Sequence, residues 1–212
     1  MSTIYPDRRV MRTRLKLKSS LLETLSNHSL KNLTVASLCR NAGVNRTTFY
    51  HHYDSLDDLI HQLLDDMVAK VIEAYREPYT QLTSFQLQDL HFSEITLFHS
   101  VLKNQAAYTQ VVFSPFLALF HQKLSLAIKD VMLSDLSQHG DVDHELYAVY
   151  HSIAVTGLLI YWIQTGFLRS PEEMADQLLM IVRHRSEQRF KVKTILSPLL
   201  IDFNRVRNPF GG

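Results

Sequence analysis

The stretch from Thr34 to Tyr53, TVASLCRNAGVNRTTFYHHY, decides the fold of this chain. Thr34 stands where an N-cap residue would precede a short helix over Val35–Asn41, and the turn Ala42-Gly43-Val44 ends that helix. The glycine suits a sharp turn because it adopts a positive φ at little cost. Asn45 can then cap a second short helix. The spacing therefore predicts two helices joined by a tight turn.

The second helix of this pair has two chemically different faces. Phe49 and Tyr53 stand at i and i+4, so they point together toward a core. The opposite face carries Arg46, Thr47, Tyr50 and His51. Arginine can donate to guanine, threonine can contact the thymine methyl group, and tyrosine and histidine can reach phosphates or base edges. The pattern indicates a helix-turn-helix that reads the DNA major groove, and a polar surface helix is the alternative.

The composition of the whole chain favours an all-α protein. Hydrophobic residues make up 46% of the 212 residues, and there are only six glycines and six prolines. A chain with so few breakers is typical of a helical globular fold. It is long enough for one sizeable domain, or for a small domain joined to a larger one.

Charge is distributed unevenly along the chain. Residues 1–53 contain nine lysines or arginines and two carboxylates, a formal charge of +7, whereas the remainder contains 13 basic and 19 acidic residues, a charge of −6. A basic segment suits a polyanion such as DNA. A solvated surface is the alternative explanation for a run of charge.

Residues 10–60 resemble the DNA-binding domain of the TetR family of bacterial transcriptional regulators. The family pattern LTVxxLxxxAGVxRxTFYxHF is matched from Leu33 to Tyr53, including the AGV turn and the TFY triplet. Family members often have a lysine near the start of helix 4, where this chain has Leu56; the basic N-terminal segment could supply the missing phosphate contact. The resemblance implies DNA contacts by Thr34, Ser37, Arg46, Thr47, Thr48, Tyr50, His51 and His52.

Caps and breakers divide the chain into about nine predicted helices. We expect a DNA-binding domain over residues 1–54, a connecting helix 4 over 55–78, a ligand-binding and dimerisation domain over 79–185, and a C-terminal extension over 186–212. The first helix is predicted over Val10–Asn27, with Met11, Leu15, Leu21, Leu22 and Leu25 facing inward. The later helices are predicted to begin near Ser55, Thr83, Asn104, Ser114, Asp143 and Ser170.

Predicted helix 8, Asp143–Thr165, is apolar nearly all round between Ile153 and Ile163, and Gly157 permits the close approach of another helix. In the TetR family the last two helices pack against their copies in a second subunit. The resemblance therefore implies a homodimer that reads a palindromic site, with recognition helices about 34 Å apart. The expected interface residues are Gly157, Tyr161, Met174, Leu178 and Ile181.

Many aromatic residues lie in the C-terminal domain, which predicts either a packed core or an apolar pocket for a small molecule. Relatives bind inducers between helices 5 and 8, and by that resemblance the candidate pocket residues are Phe98, Tyr108, Phe116, Phe120, Tyr147, Tyr150 and His151. The region from Leu97 onward resembles a subgroup that includes activators of dihydroxyacetone kinase operons, some of which work with a protein partner. We predict a ligand-released repressor, and an activator or a protein-partnered regulator is the alternative.

No enzyme signature is present in the sequence, and we predict no catalytic residues and no cofactor apart from a small-molecule effector. The eleven histidines show no metal-ligand spacing, and Cys39 falls at a buried position of the second helix. The longest uncharged apolar run, Ile153–Ile163, is shorter than the about 20 residues that span a bilayer. We therefore expect a cytoplasmic protein with no membrane contact.

Overall fold

The computed structural model describes residues 8–26, 33–79, 91, 95–135 and 143–183. All regular secondary structure in these ranges is helical, which confirms the predicted all-α class. A short 3-10 turn at Glu77–Tyr79 follows the fourth helix. The helices are α1 (Arg8–Ser26), α2 (Val35–Ala42), α3 (Arg46–Tyr50), α4 (Leu56–Arg76), α5 (Leu97–Lys103), α6 (Gln105–Val112), α7 (Leu117–Asp135), α8 (His144–Gln164) and α9 (Pro171–Arg183).

Helices α1 to α3 form a small domain around an apolar core. On α1 the fully buried leucines are Leu17 and Leu21, one turn apart, and Leu25 continues the same stripe. The predicted inward face was wrong at its start, because Met11 and Leu15 are 51% and 64% exposed. The packing surface of α1 against α2, α4 and α6 begins near the middle of the helix, so the first two turns have little core to cover.

Helix α4 packs against helices from both ends of the sequence. Ser55 caps it, since its hydroxyl accepts from the Asp58 amide at 3.1 Å. Two adjacent carboxylates on α4 form ion pairs with different helices. Asp66 pairs with Lys18 of α1, and Asp65 pairs with Lys123 of α7. One turn of α4 is therefore tied to both the N-terminal domain and the C-terminal domain.

The C-terminal domain is built around α7 and α8, which pack along each other. Trp162 is 1% exposed and lies edge-on to Phe98, with ring centroids 5.3 Å apart. The indole nitrogen donates to the Arg169 carbonyl at 2.9 Å, which holds the loop after α8 against the core. This indole therefore connects α5, α8 and the start of the α9 segment.

Two predicted helix starts in this domain were wrong. Helix α5 begins at Leu97 and not at Thr83, because His91 and Thr96 are not helical and the Thr96 hydroxyl donates to the Ala74 carbonyl. Helix α7 begins at Leu117, because the Ser114 hydroxyl accepts from the Phe116 amide and forms a local turn. Thr83 itself, the predicted stop at residues 138–140 and the extension 186–212 lie outside the described residues.

Helix α8 is long and apolar enough to cross a membrane by length and composition. The uncharged run Ile153–Ile163 is therefore only part of the apolar length of α8. In the structure one face of α8 packs on α6 and α7, with Val155, Leu159 and Ile163 almost fully buried. This packing is typical of the central helix of a globular domain.

Candidate nucleic-acid interface

The start of α2 is fixed by a reciprocal capping box. The Ser37 amide donates to the Thr34 hydroxyl at 3.1 Å, and the Thr34 amide donates to the Ser37 hydroxyl at 3.0 Å. This geometry confirms the predicted cap at Thr34. Both hydroxyls, which were predicted to contact DNA, are engaged in the hydrogen bonds that hold this helix end.

The turn between α2 and α3 has the backbone that the sequence predicts. Gly43 adopts φ +63°, the left-handed region, and its amide donates to the Arg40 carbonyl at 3.2 Å. Asn45 then caps α3, because its side-chain oxygen accepts from the Thr47 amide at 2.9 Å. The two caps and the glycine set the angle between α2 and α3.

Helix α3 has the two faces predicted for it. Phe49 and Tyr53 are 0% and 1% exposed, and burial raises the pKa of Tyr53 to about 12. Tyr50 is 51% exposed and lies edge-on to Phe49, with centroids 5.3 Å apart. The remaining outward side chains, all exposed, are Arg46, Thr47 and His51.

His52 and Thr48 are placed differently from the outward face. Both are partly buried, and Thr48 faces α1. Partial burial lowers the pKa of His52, and the nearby positive charge of Arg14 lowers it further. The imidazole is therefore biased toward its neutral form, which can still donate or accept one hydrogen bond at a phosphate or base edge.

A basic groove of about 440 Å³ lies between α1 and the helix-turn-helix. Arg9, Arg12 and Lys16 line it from α1, at helical spacing on one face. Asn45 and Thr48 line the other side, beside the turn. These three cations were not among the predicted contact residues, although the charge asymmetry of residues 1–53 signals them.

Lys18 of α1 does not line this groove and instead forms the ion pair with Asp66. At the start of α4, Leu56 is partly buried against the core, so it does not stand in for a phosphate-binding lysine. The cationic surface next to α3 is therefore supplied by α1. That the N-terminal segment replaces the missing lysine in contacting phosphate stays a prediction.

Among the seven predicted pocket residues, three aromatic side chains are core. Phe98, Tyr108 and Phe120 are each at most 1% exposed. The Tyr108 hydroxyl donates to the Met67 carbonyl of α4 at 3.0 Å, and its ring lies 6.0 Å from that of Phe120. These contacts fix α6 and α7 on α4.

The other predicted pocket residues are spread over α7 and α8. His151 is mostly buried; its Nε2 lies 2.9 Å from the Tyr75 hydroxyl, and Tyr147 stacks on it with centroids 5.9 Å apart. Phe116 is partly buried, whereas Tyr150 is 69% exposed. The structure brings Tyr147 and His151 together and places Tyr150 on the outer face of α8.

The outer face of α8 forms a continuous apolar stripe. Its exposed large side chains are Leu146, Tyr150, Ile153 and Tyr161. A Cβ built on Gly157, in the same stripe, meets no atom within 4 Å. On α9 the exposed apolar residues are Met180 and Ile181, and Leu178 is partly buried. Met174, also predicted at the interface, is 3% exposed and belongs to the core.

Comparison with known protein families gives a match over the C-terminal region of the chain. A TetR C-terminal family model, described as the transcriptional regulator C-terminal region, matches residues 88–184. The residues before this range carry the capped helix-turn-helix described above.

The chain resembles TetR-family regulators over residues 88–184 and in its capped helix-turn-helix.

Two TetR-like relatives have names that describe regulation. The uncharacterized HTH-type transcriptional regulator YxbF of Bacillus subtilis is 25% identical over 83% of this chain, and the chain spans 46% of its length. The HTH-type transcriptional repressor KstR2 of Rhodococcus jostii is 21% identical over 74% of this chain and 82% of its own. Over most of its length the chain is therefore similar to proteins that are named as transcriptional regulators.

One solved structure supports the predicted resemblance of the C-terminal half. The dihydroxyacetone kinase operon activator DhaS aligns over 80% of this chain and 95% of its own, with a TM-score of 0.55 and 15% identity. At this level of identity the likeness concerns the fold.

Proposed function

We propose that this TetR-like chain is a repressor that binds a palindromic operator as a homodimer and is released by a ligand. One observation supports DNA binding most directly. The exposed polar face of α3 lies beside the basic groove of α1. Arg46 and Tyr50 stand on the first surface, and Arg12 and Lys16 line the second. Base contacts specify sequence, and phosphate contacts position the protein.

A homodimer is supported by the apolar stripe on α8 and α9. Large side chains such as Ile153, Tyr161 and Ile181 are each more than half exposed in the single chain. Exposed apolar side chains of this kind on the last two helices are typical of a subunit interface. A two-fold pairing would place two copies of α3 on one face of the dimer, as a palindromic operator requires.

Repression and ligand release are supported by the similarity to KstR2, whose name describes a repressor, and by the contacts of α4. This helix is tied to α1 through Asp66 and to α7 through Asp65. A ligand that favours another position of α4 would alter the spacing of the two α3 helices. Such a regulator acts on DNA in the cytoplasm.

Substitution of α3 tests the assignment of sequence recognition. We expect Arg46→Ala and Tyr50→Ala each to weaken binding to the promoter of the protein's own gene by at least tenfold, since one base contact contributes about 1–3 kcal/mol. Competitive gel shifts against random DNA measure this loss. Lys129→Ala, on α7 and away from both surfaces, is the matched control.

Lys16→Ala separates phosphate contact from base readout. It should weaken binding to operator and random DNA alike and reduce the salt dependence by about one ion. Unchanged binding after the Arg46 and Tyr50 substitutions would refute α3 as the recognition helix. Loss of discrimination in the Lys16 variant would show that α1 reads bases instead.

A further inference from the structure

A second cavity, of about 830 Å³, lies between α4 and α5, far in sequence from the DNA-binding surface. On α4 it is lined by Lys70, Glu73 and Glu77, which share one face at i, i+3 and i+7. On α5 the matching stripe is Thr96, His99 and Lys103. Polar side chains of two helices thus face a common groove of a size that holds a small molecule.

The contacts at one end of this groove show which ends of α4 and α5 lie side by side. The Thr96 hydroxyl oxygen lies 3.2 Å from the Ala74 carbonyl oxygen and also within hydrogen-bond distance of the Glu77 carboxylate, so its one proton is shared between these two acceptors. The end of α4 therefore lies beside the start of α5. Lys70 and Lys103 line the cavity from the far end of each stripe, about 10 Å away at 1.5 Å per residue.

The two ends differ in how well their charges are satisfied. Glu77 is bonded to Thr96, and His99 Nε2 lies 2.9 Å from the Glu172 carboxylate. Neither Lys70 nor Lys103 has a carboxylate within 4.0 Å in the described part of the chain. The cavity is lined by two lysines and two glutamates, and an anion is attracted to the end at which the two ammonium groups lie.

We propose that this groove binds a small polyhydroxylated molecule that carries one anionic group, a carboxylate or a phosphate monoester. The anion contacts Lys70 and Lys103, and the hydroxyls contact Thr96 and the Glu73 carboxylate. The site is separate from the aromatic residues around His151. Its role as an effector site rests on the proposed DNA-binding function, because α4 leads from this groove to the DNA-binding domain.

Calorimetric titration of the full chain, without DNA, tests the site. The probes are glucose 6-phosphate and gluconate, with glucose as the neutral match and inorganic phosphate as the anion without hydroxyls. We expect at least one anionic sugar to bind at least tenfold more tightly than either glucose or phosphate. The two anionic arms distinguish a phosphate ligand from a carboxylate ligand.

Variants of the lysine pair locate the binding. In Lys70→Gln/Lys103→Gln the affinity for the anionic sugar should fall at least tenfold, whereas Lys129→Gln, outside the groove, should leave it unchanged. Failure of both anionic sugars to bind, or equal binding by the double variant, would overturn the proposal. Because DNA is absent from this titration, its failure is distinct from a failure of operator binding in the gel shifts.

Discussion

At the scale of single residues, Phe49 and Tyr50 show how adjacent aromatic side chains take opposite roles. Phe49 is fully buried beneath α3, and Tyr50 is 51% exposed on the surface that we propose contacts DNA. Their rings pack edge to face, so they share a contact although they face different environments. Substitution of Phe49 should therefore lower stability, and substitution of Tyr50 should weaken DNA binding.

Alanine substitutions at the pair test that separation. Phe49→Ala should lower the free energy of unfolding by about 3–5 kcal/mol, because it removes a large buried side chain. Tyr50→Ala should change it by only about 0.5 kcal/mol, as is usual for exposed positions. Urea unfolding followed by circular dichroism measures both. Equal losses in the two variants would contradict the assigned faces of α3.

His151 makes stability depend on pH. Burial lowers the pKa of His151, so this residue takes up a proton at a higher pH in the unfolded chain than in the folded one. Below about pH 6.5 the unfolded state therefore binds more protons, and the free energy of unfolding decreases as the pH falls. The groups that face the imidazole are the Tyr75 hydroxyl and the Tyr147 ring.

His151→Gln checks this dependence. Glutamine can keep a hydrogen bond to the Tyr75 hydroxyl but does not titrate. Urea unfolding of both proteins between about pH 7.5 and pH 5.5 should show a shallower loss of stability in the variant. The assignment is wrong if the two curves remain parallel.

At the scale of elements, α3 is the clearest case of a helix that depends on its neighbours. It contains five residues, too few to be stable alone. Its order comes from the Asn45 cap, the buried Phe49 side chain and the left-handed Gly43. The orientation of the recognition surface is therefore a property of the turn as much as of the helix.

Gly43→Ala tests the contribution of the turn. Nothing lies within 4 Å of an added Cβ, so the cost comes from the backbone at φ +63°, about 1–2 kcal/mol. Thermal unfolding should show this loss, and Gly43→Asn should lose less, because asparagine tolerates the left-handed region. If alanine is as stable as glycine, the turn is not held at a positive φ.

At the scale of the whole molecule, the chain has a basic surface on α1 and exposed apolar side chains on α8 and α9. Helix α4 connects the two halves through its paired carboxylates. This arrangement suits a dimer that binds DNA through α1 and α3 and whose subunits pair through α8 and α9.

Charged substitutions on the apolar stripe test the dimer. Ile153→Glu and Tyr161→Glu should each shift the protein from dimer to monomer in sedimentation velocity, since each would bury an unpaired charge at the interface. Leu126→Glu is the matched control, because Leu126 is 50% exposed on α7 and lies outside the stripe. A parent protein that sediments as a monomer would contradict the proposed assembly.

Local spacing alone was enough to predict much of the DNA-binding domain. The caps at Thr34 and Asn45, the turn at Gly43 and the inward pair Phe49 and Tyr53 were all predicted correctly. Each depends on residues within one or two turns of the chain, where cap hydrogen bonds and the helical period act. The inward face of α1 was predicted only in part, because it depends on where other helices end.

The sequence by itself determined the all-α class, the helix-turn-helix and the resemblance to the TetR family. Only the tertiary structure decided which polar side chains share a site. Lys16 and Thr48 line one groove, and Lys70 and Lys103 line another. It also decided that Phe98 is core. Aromatic and charged residues at helical spacing suit a core, a pocket or a surface equally, and the packing of one helix on another selects among these environments.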